Sequence, residues 1–265
     1  MRLERIEARD NRRLVHARKV RDGRVADLIF IEGRRLADEA LRSGLEIEQC
    51  LVSEDLASDA LAGECLERAI ATASLSERLF RTIADTANPQ GVILIGRRPV
   101  GTLISIEERL AASALPIVIY LYRVNDPANL GAIMRTAEAA GCAGLLLSPG
   151  SADPFSPKAL RASMGSAFRL PVAEGVSPDA LADWSKNAGL TITATAANAR
   201  DSYADVDWMP RRVLIFGSEA YGLDDLDLDL LQEKIRIPIT PPVESLNLAL
   251  SVGVILFEAK RQIGT

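Results

Sequence analysis

Histidine occurs once in this chain of 265 residues, as His16. That scarcity excludes a Ser-His-Asp or Cys-His catalytic arrangement anywhere but around His16. It also leaves no second histidine for a HExxH zinc site. His16 lies in a basic stretch and reads as a surface residue of a first helix. Cysteine is nearly as rare: Cys50, Cys65 and Cys142 are odd in number, widely spaced and form no CxxC pair. Neither zinc nor a disulfide framework is expected, whereas buried, inert thiols in a reducing cytoplasm are. No apolar run is long enough to span a bilayer. The N-terminal stretch 1–24 is charged and has no apolar h-region, so it does not read as a secretory signal. Metal and membrane are therefore not expected as partners.

An excess of positive charge is missing too. The formal charge of −5 speaks against a nucleic-acid partner when summed over the chain, but it is unevenly spread. Arg2, Arg5, Arg9, Arg12, Arg13, Arg18, Lys19, Arg21 and Arg24 crowd the first segment, while Asp224, Asp225, Asp227 and Asp229 crowd another. A basic N-terminal face would meet phosphates while the rest stays acidic. A solvated charged helix accounts for the same pattern, and charge alone leaves both readings open.

Strands and helices alternate along the chain. In residues 11–21, Leu14, Ala17 and Val20 recur at helical spacing. Apolar strands are expected at 28–31, 47–52, 70–73 and 91–96, with helices at 34–42, 56–68 and 76–83. These hundred residues read as a small α/β domain. Residues 101–114 read as a linker with a helix over 106–112. Residues 115–265 then give strands at 117–121, 145–147, 190–194, 213–216 and 235–237, and helices at 128–140 and 246–260. The continuous apolar run Ile117-Val118-Ile119-Tyr120-Leu121 suits a parallel strand covered on both faces. The fold class is α/β, with a parallel sheet in the C-terminal domain.

Parallel sheets hold ligands beyond the carboxyl ends of their strands, and three such ends stand out. In Asn125-Asp126-Pro127-Ala128-Asn129-Leu130-Gly131-Ala132-Ile133-Met134-Arg135, an Asp before Pro caps a helix. Helical steps would let Asn129 and Arg135 share a face. In Phe216-Gly217-Ser218-Glu219-Ala220-Tyr221-Gly222-Leu223, a strand runs into Gly217, which would let a ligand approach backbone amides closely. This is neither GxGxxG nor Gly-Lys-Ser/Thr, so a dinucleotide fingerprint and a P-loop are not supported. In Ile237-Pro238-Ile239-Thr240-Pro241-Pro242-Val243-Glu244-Ser245-Leu246-Asn247, Ser245 stands at the mouth of a long helix. The free N–H groups there suit a phosphate or another polar ligand, and an N-cap serine would look the same.

Together and in this order, the three segments resemble the motifs of the SpoU family of RNA ribose 2′-O-methyltransferases, of the SPOUT class. Residues 163–169 are similar to the family's stretch between its first two motifs. Phe30-Ile31-Glu32-Gly33 and Asn88-Pro89-Gln90-Gly91 are similar to its small substrate-binding domain, a ribosomal-protein-like fold found in members that modify large-subunit ribosomal RNA. The resemblance implies a deep trefoil knot in the C-terminal domain, a homodimer and a cytoplasmic enzyme. It implies S-adenosyl-L-methionine held by Thr195, Ala196, Phe216, Gly217, Ser218, Glu219, Ile237, Pro238, Leu246, Asn247 and Ala249. Arg135 would meet the ribose hydroxyl, with Asn129 and Asn247 orienting, Ser245 binding phosphate or ribose, and Glu219 holding the loop or the substrate. Arg12, Arg13, Arg18, Lys19 and Arg34 would bind RNA. Transfer RNA as the substrate, or a non-catalytic RNA-binding protein on the same fold, are the alternatives. Two departures stand out. Leu121-Tyr122-Arg123 lacks the acidic residue relatives often carry, and Thr240-Pro241-Pro242 stands where relatives often have a glycine.

Overall fold

The computed structural model describes residues 3–218, 222–223 and 231–264; Glu219, Asp224, Asp225, Asp227 and Asp229 lie outside the described residues. The chain divides into two compact units, Met1–Pro99 with Phe155–Arg169, and Val100–Pro154 with Leu170–Thr265.

The first unit runs β1 (Glu4–Ile6), α1 (Arg12–Arg21), β2 (Leu28–Glu32), α2 (Arg34–Arg42), β3 (Ile47–Ser53), α3 (Ala60–Glu67), β4 (Ala71–Leu75), α4 (Glu77–Phe80) and β5 (Val92–Arg97). The Asn11 side chain caps α1 by accepting the Arg13 N–H, and Leu14, Ala17 and Val20 are buried as their spacing predicts. The strands form one mixed sheet in the order β1-β4-β3-β5-β2, with β5 antiparallel to both neighbours. Strand β1 has no counterpart in the sequence reading because only Ile6 of its three residues is buried. Helix α3 starts at Ala60 rather than 56, because Glu54–Leu56 form a 3-10 turn and the Asp59 side chain caps at Leu61 N–H.

The second unit contributes α5 (Leu103–Ala112), β6 (Ile117–Tyr122), α6 (Pro127–Ala140) and β7 (Gly144–Leu147). After α7 (Pro157–Ser163) come β8 (Val172–Ala173), α8 (Pro178–Ala188), β9 (Thr191–Thr195), β10 (Asp201–Ser202), β11 (Arg212–Gly217), β12 (Glu233–Arg236) and α9 (Leu248–Ile263). Seven strands form a wholly parallel sheet in the order β10-β12-β9-β11-β6-β7-β8. Every residue of β6 is buried, as a strand covered on both faces requires. Asp126 caps α6 through the Ala128 N–H, Pro127 occupies its first turn, and Gly141 closes it at φ 94°.

Three features depart from the sequence reading. The helix expected over 106–112 starts three residues earlier, at Leu103, and its buried Ile106 and Leu110 pack it on β6 and β7 as part of the second unit. Residues 155–169, assigned by sequence to the C-terminal domain, belong to the first unit. There α7 packs on β2, and Arg169 pairs with Glu39 at 2.7 Å. The cap of α9 is Asn247 rather than Ser245, so this helix begins two residues later than expected. All three cysteines are buried and free, and burial pushes the Cys142 thiol up to about 12. No helix among the described residues is long and apolar enough to cross a membrane.

One charged side chain is locked into the second unit's core. Arg212 is 1% exposed, yet its guanidinium pairs with Glu233 at 2.7 Å and donates to Thr193 Oγ1 at 2.9 Å and to the Asp207 carbonyl. It also stacks 4.8 Å from the Trp208 ring centroid. It ties the start of β11 to β9 and β12, the strands whose far ends form the site described next.

Candidate active site

Strands β12, β9 and β11 are consecutive in the sheet and parallel, so their carboxyl ends open on the same edge. A cleft of about 220 Å³ lies there. It is lined by Thr195 at the end of β9 with Ala196 and Ala197 beyond it, by Phe216 and Gly217 at the end of β11 with Ser218 and Gly222 beyond it, and by Ile235 and Arg236 at the end of β12 with Ile237 and Ile239 beyond it. Two hydrogen bonds join these strand ends: Ala196 N–H donates to the Ile235 carbonyl at 2.9 Å, and the Thr195 hydroxyl Oγ1 donates to the Ile215 carbonyl at 3.0 Å. Beyond β11, Gly222 N–H donates to the Ser218 carbonyl at 2.9 Å.

Of the residues expected at a cofactor, Thr195, Ala196, Phe216, Gly217, Ser218, Ile237 and Leu246 line this cleft, as does Ser245. Pro238, Asn247 and Ala249 do not. Glu219 lies outside the described residues. The cleft is also lined by residues not singled out from sequence as cofactor contacts: Ala197, Gly222, Ile235, Arg236, Ile239 and Glu244, and the α9 residues Leu248, Ser251 and Ile255. The signal for the last three is their spacing of three and four, which puts them on one helical face once Asn247 is known to be the cap.

Asn247 does two things. Its Oδ1 accepts from Ala249 N–H at 3.0 Å and Leu250 N–H at 3.3 Å, and its Nδ2 donates to Asn129 Oδ1 at 3.0 Å. The two amide acceptances fix which end of the side chain is oxygen. The first and third sequence segments therefore meet through one hydrogen bond between α6 and α9. Arg135 is exposed on α6 and has no ion pair among the described residues. It does not share the face of Asn129. Six residues at 3.6 per turn leave the two about 120° apart around the helix axis.

Comparison with known proteins decides the identity. Residues 116–257 match the SpoU rRNA methylase family, and residues 11–94 match the MRM3-like substrate binding domain. An uncharacterised tRNA/rRNA methyltransferase of Synechocystis is 33% identical over 88% of this chain and 84% of its own. The 23S rRNA (guanosine(2553)-2′-O)-methyltransferase RlmP of Bacillus subtilis is 30% identical over 97% of this chain and 100% of its own. The crystal structure of an AdoMet-bound rRNA methyltransferase from Sinorhizobium meliloti superposes with a TM-score of 0.85, at 29% identity and 98% coverage of both chains.

The chain belongs to the SpoU rRNA methylase family. It is an RNA methyltransferase that uses S-adenosylmethionine. The cleft suits that cofactor, since apolar Phe216, Ile237, Leu246 and Leu248 lie beside the polar Thr195, Ser218 and Ser251.

Three of the residues expected to meet RNA also make contacts within the first unit. Arg13 pairs with Glu4 at 2.9 Å and donates to the Ala71 carbonyl at 2.6 Å. Arg18 donates to the Arg9 carbonyl and to Thr82 Oγ1, each at 3.1 Å, and desolvation lowers its pKa. Arg34 pairs with Asp59 at 2.5 Å, and that bond raises its pKa. These three guanidinium groups join elements of the fold. Arg12 and Lys19 are exposed seven residues apart on α1, which places them on one face.

Proposed function

We propose that this methyltransferase modifies a ribose 2′-hydroxyl of large-subunit ribosomal RNA, and that it works in the cytoplasm. The observation that carries the chemistry is that the second and third segments line one cleft while the Asn129–Asn247 bond ties the first segment to the third. Ribosomal RNA as substrate is supported by the matched substrate-binding domain and by the Bacillus subtilis relative that spans the whole chain. The first unit then serves as the RNA-binding domain, with Arg12 and Lys19 the exposed cations on its first helix.

The sulfonium of bound S-adenosylmethionine supplies an electrophilic methyl group. The protein must place the hydroxyl in line and manage its proton. Arginine stays protonated in proteins, so Arg135 orients the hydroxyl and stabilises developing alkoxide charge, and an RNA phosphate takes the proton. Asn129 and Asn247 hold α6 and α9 in register for this, Ser245 binds ribose or phosphate, and Glu219, by its place in the second segment, serves the loop or the substrate.

A trefoil knot fits the topology. Strand β12 lies beyond β9, yet the helix that follows it packs on α6, the helix after β6. The chain must cross back over two strands to get there. A homodimer fits the surface: Leu250, Val254 and Phe257 are 62%, 38% and 51% exposed and form one apolar stripe along α9, and Leu246, 38% exposed, stands just before its cap. Leu250→Lys with Phe257→Glu is expected to give a folded monomer in sedimentation velocity; an unchanged dimer would place the interface elsewhere.

The substrate is tested by methyl transfer from labelled S-adenosylmethionine to total RNA, followed by mapping of alkali-resistant linkages. A single 2′-O-methyl site in large-subunit ribosomal RNA is the expected result. Label confined to transfer RNA, or no label, would overturn the reading.

A further inference from the structure

We infer that a cavity in the first unit takes one unstacked nucleotide of the substrate RNA; this rests on the reading of that unit as the RNA-binding domain. Three segments that stand out in the sequence, 30–33, 88–91 and 163–169, contribute nothing to the cofactor cleft. They meet elsewhere. Glu32, Gln90 and Met164, one from each segment, line a second cavity of about 310 Å³, and every residue that lines it belongs to the first unit. Ligand pockets span roughly 300–1,000 Å³. This one, near the lower limit, suits a single nucleotide better than a length of strand.

The cavity is braced from behind. Glu32, buried at the end of β2, accepts from the Asp85 N–H at 2.6 Å and from the N–H and hydroxyl of Thr86. Asp85 in turn pairs with Arg161 of α7 at 2.7 Å. Leu36 of α2 and Met164, the cap of α7, supply apolar lining. Met164 has φ 52°, a left-handed conformation that costs an L residue energy. For the cap alone, glycine would serve better. What methionine adds is a polarisable thioether, which packs well on a flat ring. The polar lining complements the rest of a nucleotide. Gln90 Oε1 accepts the Arg34 N–H at 2.9 Å, which assigns the other end of that amide as Nε2. Nε2 has no partner among the described residues and can donate to a base edge. Arg34, expected from sequence to meet RNA, pairs with Asp59. Its neighbour Arg35 lines the cavity, is exposed, and has no side-chain hydrogen bond or ion pair among the described residues. Ring packing, an edge hydrogen bond and a cation for the phosphate are what an unstacked nucleotide requires.

Two variants test the cavity with little disturbance of the fold. Gln90→Glu keeps an oxygen for the Arg34 N–H and removes the donor, and Arg35→Ala removes the guanidinium. Both should unfold close to the wild-type temperature. In filter binding with an unmodified large-subunit ribosomal RNA transcript, each should weaken affinity about tenfold. Arg35→Ala should also lower the slope of log affinity against log salt by about one. Cofactor affinity should hold in both, because neither residue lines the cofactor cleft. Ultraviolet cross-linking of the wild-type complex should join one nucleotide to a peptide that carries Leu36 or Met164. With that nucleotide made abasic, wild type and Gln90→Glu should bind equally. Wild-type affinity in both variants would overturn the inference, as would cross-links confined to other peptides or a tenfold difference that survives loss of the base. A free nucleoside monophosphate that competes as strongly as the RNA would make this a free-nucleotide site and overturn it too. If the wild-type enzyme transfers no methyl group to RNA, the reading beneath falls and takes the inference with it. Methyl transfer by the wild type alongside two indifferent variants removes the inference alone.

Discussion

Arg135→Ala is expected to lower methyl transfer by at least about a hundredfold, the usual loss when a group that stabilises developing oxyanion charge is removed. S-adenosylmethionine affinity should stay within about twofold of wild type, because Arg135 is not among the residues that line the cleft. The helix should survive as well. Arg135 is exposed on α6, while Leu130, Ile133, Met134 and Ala137 anchor that helix to the core. The loss should therefore appear in turnover and not in folding or cofactor binding. Arg135→Lys adds a second reading of the same role. Lysine keeps the charge but lacks the planar fork, so it should fall between alanine and wild type if the guanidinium both orients and stabilises. Single-turnover transfer, isothermal titration with cofactor and thermal unfolding measure the three quantities. Near-normal turnover in the alanine variant would remove Arg135 from the chemistry.

How far such a role is legible in the sequence depends on how local its cause is. Helix α6 shows itself through Asp126, Pro127 and Gly141, each a local conformational signal. Strand β6 shows itself through an unbroken apolar run. Strands β8 and β10 have two residues each, too few to carry a period of two. Helix α8 went unread although its signals were present: Ser177 caps it, Pro178 occupies its first turn, and Gly189 closes it at φ 65°.

Tertiary facts resist sequence reading for a different reason. Nothing local says that Arg13 reaches the Ala71 carbonyl or that Arg34 finds Asp59. A basic N-terminal segment reads as a phosphate-binding face, and the bracing that several of its arginines also provide is invisible in the sequence. The buried network of Arg212 is equally hidden, since an arginine at a strand start normally faces water. At the site, the segments could be ordered along the chain. Their convergence through Asn129 and Asn247 is a property of the fold. Ser251 and Ile255 share the helical face of Leu248, whereas Ala249 is turned about 100° from it, and Ala249 does not line the cleft.

Gly217→Ala is expected to have the other large effect, for a reason different from the one the sequence suggests. A glycine at a strand end reads as room for a ligand. In the structure the room is already taken by the protein's own backbone. A Cβ on Gly217 would lie 2.0 Å from the Gly222 carbonyl oxygen, 2.3 Å from its carbon and 2.9 Å from its Cα. None of these atoms can rotate away as a side chain would. The turn joined by the Ser218–Gly222 bridge must open instead, and both of those residues line the cleft. Cofactor affinity should fall by about a hundredfold or more, which corresponds to about 2.7 kcal/mol. Stability should drop by about 1–3 kcal/mol, the usual cost of overpacking. Gly222→Ala is the control. Its added Cβ meets nothing within 4 Å, but its φ of 56° imposes strain, worth about 1–2 kcal/mol for an L residue. That variant should lose stability while its cofactor affinity stays within about tenfold of wild type. The two glycines sit five residues apart in one motif and answer to different constraints, one steric and one conformational. Titration of both variants with S-adenosylmethionine distinguishes them, and wild-type affinity in Gly217→Ala would mean that the turn after β11 does not shape the cleft.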